Sequence, residues 1–241
     1  LMDPHHLKRL NEERRRRRAA ILLTEIGTGR DRVIREGDAT PGELGDAARK
    51  AFLAGKSAVA VVDGLEYFLN VHVPPPRIVA IGAVHISQAL AGVAAIAGYD
   101  IEIIDPRTAF ATPDRFPGIA LHAEWPQEVL KARPLDPYTA VAALTHDPRI
   151  DDMGLMEALR GCFYVGALGS RKPHARRVDR LIAAGLSSAE IERIHAPIGL
   201  DIAASSPQEI AIAVMGQVIS AFRKRGLASL NAAEEERVLD A

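Results

Sequence analysis

Apolar and polar positions alternate in two different ways along this chain, with the break near residue 74. After it, short apolar runs rich in β-branched residues are each followed by a glycine- or polar-rich turn and a stretch with helical spacing. Arg77–Ile81 is the first such run, and Gly82 ends it. Ile86–Ala97 carries small and apolar residues at helical intervals, and Gly98 stands where a C′ glycine stops a helix. Tyr99–Ile104 reads as a second strand that closes on Asp105. Thr108–Pro117 reads as a loop, Gly118–His122 as a short strand and Pro126–Lys131 as a short helix. Thr139–Leu144 is a strand ending at Thr145-His146-Asp147, Asp151–Arg160 a helix, and Cys162–Val165 a strand followed by Gly166–Ser170. Arg171–Ala184 is a basic helix stopped by Gly185. Its buried face is expected at Val178, Leu181 and Ile182, with Arg176, Arg177 and Arg180 outside it. Ser187–Glu190 has the form of a capping box that opens a helix to about His195. Ser206–Glu209 is a second, opening a helix to about Arg225 that turns Ile210, Ala213, Val214, Val218 and Phe222 to the core. Strands alternating with helices predict an α/β fold: a Rossmann-like, mainly parallel sheet covered on both faces.

Before residue 74 the pattern is that of antiparallel strands. Ala19–Ile26 is a strand, and Gly27–Gly45 is loop-like, with a helix from Pro41 to about Leu53. Ser57–Val62 and Leu65–Val71 flank Asp63-Gly64, the pair that supplies a type I′ hairpin turn. Residues 3–18 are polar and end in five arginines, Arg14–Arg18. They read as a solvated helix or basic arm, or as a docking arm for an acidic partner. Pro74-Pro75-Pro76 reads as a stiff linker. We therefore expect a small N-terminal α/β domain with a basic arm over residues 1–73 and a Rossmann-like domain over 74–241, with a charged, loose tail after Gly226.

Composition narrows the chemistry. A net charge of −1 over 241 residues gives no global signal for nucleic acid. A single cysteine, Cys162, excludes an intrachain disulfide framework and a cysteine-cluster metal site, and fits a reducing cytosol. No apolar run approaches the ~20 residues that span a bilayer, and no signal-peptide core is present. A cytoplasmic protein is expected.

Ligands of doubly wound sheets bind beyond the carboxyl ends of the strands. The candidate site is therefore Gly82–His85, Asp105–Arg107, Thr145–Asp147 and Gly166–Arg171. The first turn departs from G-x-G-x-x-G, offering Gly82, Val84 and Ser87. Val84 blocks the close approach a pyrophosphate needs, while Asp105, 23 positions after Gly82, stands where a ribose-binding acid is found. His85 points toward the cleft, and His146-Asp147 pairs a proton carrier with a carboxylate. Gly166, Gly169, Ser170 and Arg171 form a second glycine turn opening a basic helix, suited to an anion. Cys162 is expected to be a buried, inert thiol. No nucleophile elbow, paired carboxylates or zinc spacing is visible, so neither a catalytic nor a metal set is expected.

Two stretches resemble a known family: YVGALGSRKPHARRVDRLIAAGL, Tyr164–Leu186, and RIHAPIGLDIAASSPQEIAIAVMGQVI, Arg193–Ile219. With IDPR at Ile104–Arg107, RFP at Arg115–Pro117 and THD at Thr145–Asp147, they resemble the C-terminal domain of the XdhC/CoxF family over roughly Ile78–Phe222. That family comprises accessory factors of molybdenum hydroxylases such as xanthine dehydrogenase and carbon monoxide dehydrogenase. The resemblance implies a maturation factor that binds molybdenum cofactor, assists its sulfuration and delivers it to the apo-enzyme. It acts as a cofactor-handling chaperone rather than an enzyme, with a cysteine desulfurase and a homodimer as further possible partners. On that reading Gly82, His85, Asp105, Arg107, His146, Asp147, Gly166, Gly169, Ser170 and Arg171 hold the pterin cofactor or a nucleotide. Asp201 of GLDI either closes the site or caps its loop. The rival reading is an NAD(P)-dependent oxidoreductase with a degenerate phosphate turn. Two departures stand out. Gly82-Ala83-Val84-His85 replaces the family's G-x-G-H or G-G-G-H, and residues 19–73 lack the cysteine of its N-terminal G-C-G-G type stretch.

Overall fold

The computed structural model describes residues 4–225, which form two compact units: one to residue 74 together with 223–225, the other from 75 to 222. In the first unit, β1 (Ala20–Glu25) lies between β2 (Asp31–Arg35) and β4 (Leu65–His72), and β3 (Ala58–Val62) forms the edge beyond β4. All neighbours are antiparallel. β1 is apolar on both faces because both are covered. Leu10 of α1 (Pro4–Arg15) packs with Ala20, Leu22 and Val33, and α2 (Gly42–Ala54) buries Ala48, Ala51 and Phe52. Asp63 and Gly64 both have positive φ, 52° and 76°, as the type I′ turn requires.

β2 falls inside the glycine-rich stretch expected to be loop. Only Val33 and Ile34 of its five residues are buried, too short an apolar signal to register as a strand. The arginine run is partly folded in. Arg14 and Arg15 end α1, while Arg18 turns back to chelate the buried Glu13 carboxylate through Nε (2.6 Å) and Nη2 (3.0 Å). Arg35 joins the same carboxylate at 3.2 Å.

The second unit carries six parallel strands: β5 (Arg77–Ile81), β6 (Asp100–Ile104), β7 (Ala120–His122), β8 (Thr139–Ala143), β9 (Tyr164–Ala167) and β10 (Ile194–His195). Their order is β10-β9-β8-β5-β6-β7, the 3-2-1-4-5-6 arrangement of a Rossmann sheet. The order reverses between β5 and β8, where Ile81 is in register with Ala143. One face, including Ile78, Ala80, Ala140 and Tyr164, packs with Leu90 and Ala94 of α3 (His85–Ala97) and Val214 and Val218 of α8 (Pro207–Lys224). The other, including Val79, Ile81, Val141 and Val165, packs with α4 (Pro126–Ala132), α5 (Pro148–Leu159) and α6 (Arg171–Ala183) through Val129, Leu155 and Leu181. Loop 105–119 connects β6 to β7 and anchors itself with buried Ala111 and Phe116.

Both capping boxes form, at Ser187/Glu190 and Ser206/Glu209. The first helix, α7 (Ser188–Ile191), is shorter than the sequence suggests, and Ile194–His195 leaves it to pair with β9. Pro197 accounts for part of this, since it disfavours helical conformation at Ala196. The tail after Gly226 lies outside the described residues.

At the amino ends of the strands, Glu102 is buried among cations. It accepts from Arg77 Nη1 (3.1 Å) and Arg133 Nε (2.9 Å), and lies 3.2 Å from His122 Nε2. Arg77 is also buried and reaches Asp136 at 3.1 Å and the Thr139 hydroxyl at 3.0 Å. Removing one member of a buried ionic set leaves uncompensated charge. Glu102→Ala is therefore expected to destabilise the protein by about 3–5 kcal/mol, read from urea unfolding. A loss under about 1 kcal/mol would show that solvent already compensates Arg77.

Candidate functional site

The turns after β5, β8 and β9 converge at the carboxyl edge of the sheet. Gly82 has φ 117°, and a Cβ there would stand 2.7 Å from Thr145 Cγ2, so a side chain would drive the first two turns apart. Ser87, one turn into α3 and fully buried, donates its hydroxyl to the Gly82 carbonyl. Asp105 is fully buried behind this turn. It accepts from the Ala83 amide (2.7 Å), the Arg107 amide (2.9 Å), and Arg107 Nε (2.9 Å) and Nη2 (2.7 Å). Burial alone would raise its pKa, but the Arg107 side chain and the two amides outweigh it and hold the carboxyl ionised below its usual range. Both carboxylate oxygens are thus engaged in joining the ends of β5 and β6.

Arg107, half-buried, lies with its guanidinium 4.5 Å over the exposed Phe110 ring. Its own pKa is raised, chiefly by Asp105, with Asp147 and Asp151 adding attraction from the end of β8. Arg115 binds the Ala83 carbonyl (2.9 Å), the Phe110 carbonyl (2.7 Å) and Gln88 Oε1 (3.1 Å), fixing loop 105–119 to the first turn. Val84 is the N-cap residue of α3, and His85, the first residue of the helix, is exposed.

The β8 turn is organised from below by Asp151, one turn into α5. Its buried carboxylate accepts from the Thr145 hydroxyl (2.7 Å), the Thr145 amide (3.3 Å) and the His146 amide (3.1 Å). That holds His146 at φ 65°, leaving its side chain exposed at the rim. Burial pushes Asp151 up to about 6. Asp147 caps α5 by accepting from the Arg149 amide at 3.0 Å. Its pKa falls to about 2, first because the Arg149 side chain chelates it.

In the β9 turn, Gly169 has φ 128°. A Cβ there would lie 3.4 Å from Pro173, 3.8 Å from His146 Nδ1 and 3.9 Å from Arg177 Nη2, so the second and third turns also touch. Ser170 and Arg171 are exposed at the start of α6. Gly166 is placed differently, within β9. The space of its missing side chain is taken by Ile198 and the Tyr164 hydroxyl, each 2.6 Å from a built Cβ. That hydroxyl and the Gly199 amide both donate to Gln217 Oε1, at 2.7 and 2.9 Å. Asp201 is exposed in the loop that follows.

Arg177 corrects the sequence reading. It is only 4% exposed, and Nη2 donates to the Leu168 carbonyl at 2.8 Å, while Nε has no hydrogen-bond partner among the described residues. Burial lowers its pKa. Ile182, expected inside, is instead 49% exposed. The inward stripe of α6 runs through buried Arg177 and Leu181 with half-buried His174 and Val178 beside them, at helical spacing, and reading hydrophobicity alone displaced it. Asp151 was missed likewise, although it lies one helical turn beyond the Thr145–Asp147 motif that it supports.

A separate cavity of about 470 Å³, lined by Leu130, Lys131, Pro134, Asp136, Glu157 and Cys162 among others, opens at the amino ends of the strands. Asp136 and Glu157 there are engaged with Arg77 and Arg160. Burial pushes the Cys162 thiol up to about 12, which keeps it protonated. We place the functional site instead at the carboxyl edge, where the open polar groups converge.

Those groups suit an anion. In this unit, α5, α7 and α8 have polar side chains satisfying N-terminal amides, and α4 has Glu128 in its first turn. α3 and α6 have neither a side-chain cap nor a first-turn acid. Their amides and positive dipole ends face the same edge, beside Arg171 and Lys172.

The XdhC Rossmann domain profile matches residues 78–218. Over 160 residues the chain is 34% identical to the uncharacterized protein YqeB of Escherichia coli, covering 64% of this chain and 29% of that one. It is 31% identical over 155 residues to a probable xanthine dehydrogenase subunit of Bacillus subtilis, covering 63% and 44%. It is 32% identical over 136 residues to the molybdenum cofactor insertion chaperone PaoD of E. coli, covering 56% and 36%. The matched segments thus span less than half of each relative. A crystal structure described as a xanthine dehydrogenase from Bacillus halodurans shares the fold, with a TM-score of 0.61 and 23% identity over 92% of this chain and 65% of that one.

The two aspartates titrate in separate windows. Asp151 is raised from 3.8 to about 6, so its favourable contribution is full below pH 3.8 and is lost as pH rises through about 6. That is a decline of about 3 kcal/mol between those two pH values. Asp147, lowered from 3.8 to about 2, acts oppositely, its contribution being lost as pH falls from 3.8 to 2. Urea unfolding of wild type and Asp151→Asn is expected to diverge between pH 4 and 6, with only the wild type showing the decline. Parallel curves would show that the turn relaxes around the charge.

Proposed function

The chain belongs to the XdhC family, and on that premise we propose that it is an accessory factor in the maturation of a molybdenum hydroxylase. Its cargo is molybdenum cofactor or a nucleotide form of it, and its partner the apo-enzyme of the xanthine dehydrogenase or carbon monoxide dehydrogenase type. It works as a cofactor-handling chaperone in the cytoplasm. The names of PaoD and of the B. subtilis relative support this reading.

The observation that carries it is the pair of open helix N-termini on α3 and α6 at the carboxyl edge of the sheet. A pterin cofactor and a nucleotide share a phosphate, and that phosphate would find amide donors at Ser170–Lys172 with Arg171 beside them. Arg177, buried beneath the same turn, would add positive potential. His85, Arg107, His146 and Asp147 at the rim would read the remainder of the cargo, while Gly82, Asp105 and Gly169 hold the turns close together and Gly166 lets Ile198 pack on β9. Asp201 would either close the site or cap its loop. Nothing in this arrangement needs turnover by the chain itself: it binds, shields and releases.

Sulfuration of the cargo, with sulfur from a cysteine desulfurase, is the finer part of the proposal. Residues 19–73 contain no cysteine and Cys162 is buried and protonated. The chain would thus present the cargo to the sulfur donor rather than carry sulfur itself. The NAD(P) reading is disfavoured, because the acid a ribose would need, Asp105, is already engaged on both oxygens.

Equilibrium dialysis under anaerobic conditions with molybdenum cofactor and its nucleotide form is expected to show binding. The exposed double variant Arg171→Glu, Lys172→Glu is expected to weaken it about 10- to 100-fold, as for the loss of one charged hydrogen bond. NADH fluorescence titration is expected to show none. Absence of binding to both molybdenum ligands, or full binding by the variant, would remove the site assignment.

A further inference from the structure

Among the described residues two arginines are buried, Arg77 and Arg177. Arg77 has its counter-charges, with Glu102 and Asp136 each at 3.1 Å. Arg177 has none. Its Nη2 donates to the Leu168 carbonyl at 2.8 Å, and its Nη1 makes a long contact of 3.4 Å with His174 Nδ1. Both partners are neutral acceptors. A guanidinium only donates, so Nδ1 must accept, and burial together with Arg177 lowers the pKa of His174. Nε has no hydrogen-bond partner among the described residues. Asp151 and Asp152 attract Arg177 without a hydrogen bond to it. Asp151 is engaged by the Thr145 hydroxyl and the His146 amide, and Asp152 by Arg180 at 2.6 and 3.1 Å. A buried charge without a counter-charge is costly, and no described residue supplies one here.

The guanidinium lies at the open end of α6. Helical side chains lean toward the helix N-terminus, which brings Arg177, in the second turn of α6, back to the Leu168-Gly169 turn. Nη2 stands 3.9 Å, and His146 Nδ1 3.8 Å, from where a Gly169 side chain would begin. At the same turn the amides of Gly169, Ser170, Arg171 and Lys172 have no hydrogen-bond partner among the described residues. Four successive donors, the positive end of a helix dipole and an unpaired buried cation thus meet at one turn. Each of them is satisfied by the same kind of group, an oxyanion.

We infer that Arg177 is the buried counter-charge of a phosphate monoester seated at the Gly169–Lys172 turn, with His146 and His174 beside it. The inference rests on the proposed cargo site and names the charged end of the molecule that site takes. The open amides bind the phosphate oxygens. Arg177 meets their charge from the protein side, where the low dielectric leaves it little screened, and its Nη2 keeps a second hydrogen for the anion. The charge of the ligand decides the class. A phosphate monoester carries about −1.5 to −2 at pH 7, whereas a phosphodiester carries a single charge. A buried cation reinforced by Arg171 and Lys172 at the surface favours the first.

The test uses the full chain, with inorganic phosphate, AMP and cyclic AMP as probes and no molybdenum ligand. Calorimetric titration at constant ionic strength is expected to show phosphate binding, displaced by AMP and not by the cyclic diester. Arg177→Gln removes the charge and is expected to weaken phosphate binding about 10- to 100-fold, as for the loss of a charged hydrogen bond. Arg177→Lys, which keeps the charge, is expected to weaken it less. A measurement on the wild type needs neither variant to fold. The NMR resonance of the Arg177 Nε–H, assigned through its own side-chain carbons, is expected to shift on addition of phosphate and not of chloride. No phosphate binding, equal binding by Arg177→Gln, an unmoved Nε resonance, or displacement by cyclic AMP as readily as by AMP would each overturn the inference. So would phosphate that AMP fails to displace, which marks a site for the free ion alone. The cargo reading stands or falls separately. Molybdenum cofactor that binds a protein indifferent to phosphate removes this subsite only, and phosphate held through Arg177 without cofactor binding removes that reading only.

Discussion

The cleft depends on how closely the β5 and β8 turns approach. Gly82 leaves no room for a side chain beside Thr145, and two buried carboxylates hold the arrangement from opposite sides. Asp105 ties the first turn to Arg107 at the end of β6. Asp151 ties the second to the start of α5. Neither carboxylate is offered to a ligand. They shape backbone, and what the backbone then presents at the edge is amide hydrogens, helix dipoles and the cations of α6. Such an arrangement favours recognition by charge and position, in keeping with the proposed carrier role.

Much of the fold was legible in the sequence because its signals are local. The Asp63-Gly64 turn, the glycine after α3, the Ser187 and Ser206 capping boxes and the apolar β5 and β8 runs all declare themselves within a few residues. The misreadings came where tertiary context decides. β2 is a strand because β1 offers it a partner, although only Val33 and Ile34 mark it. Ile194–His195 is drawn into a strand by β9. Arg177 is buried because the Leu168 carbonyl and the acids of α5 surround it, an environment hydrophobic periodicity does not register. The candidate site was legible only as a set of turns at strand ends, which the fold brings to one edge of the sheet. What sequence could not separate were the roles within it: Gly166 as a packing glycine, Asp105 as a clamp, and Asp151 as the unseen support of the His146 turn.

The two units differ in what they retain. The second carries the match to the XdhC Rossmann domain, over residues 78–218. The first keeps a hairpin-based sheet but no cysteine. The second would hold the cargo. The sulfur chemistry would then be supplied from outside this chain.

The cargo site at the carboxyl edge is best tested by hydrogen–deuterium exchange of the full chain, with and without molybdenum cofactor under anaerobic conditions. Cofactor is expected to slow exchange at the amides opening α3 and α6, around His85–Ser87 and Arg171–His174, and to leave the amino-edge cavity around Pro134–Asp136 unchanged. Protection at that cavity instead, or binding without protection at either helix start, would contradict a carboxyl-edge site.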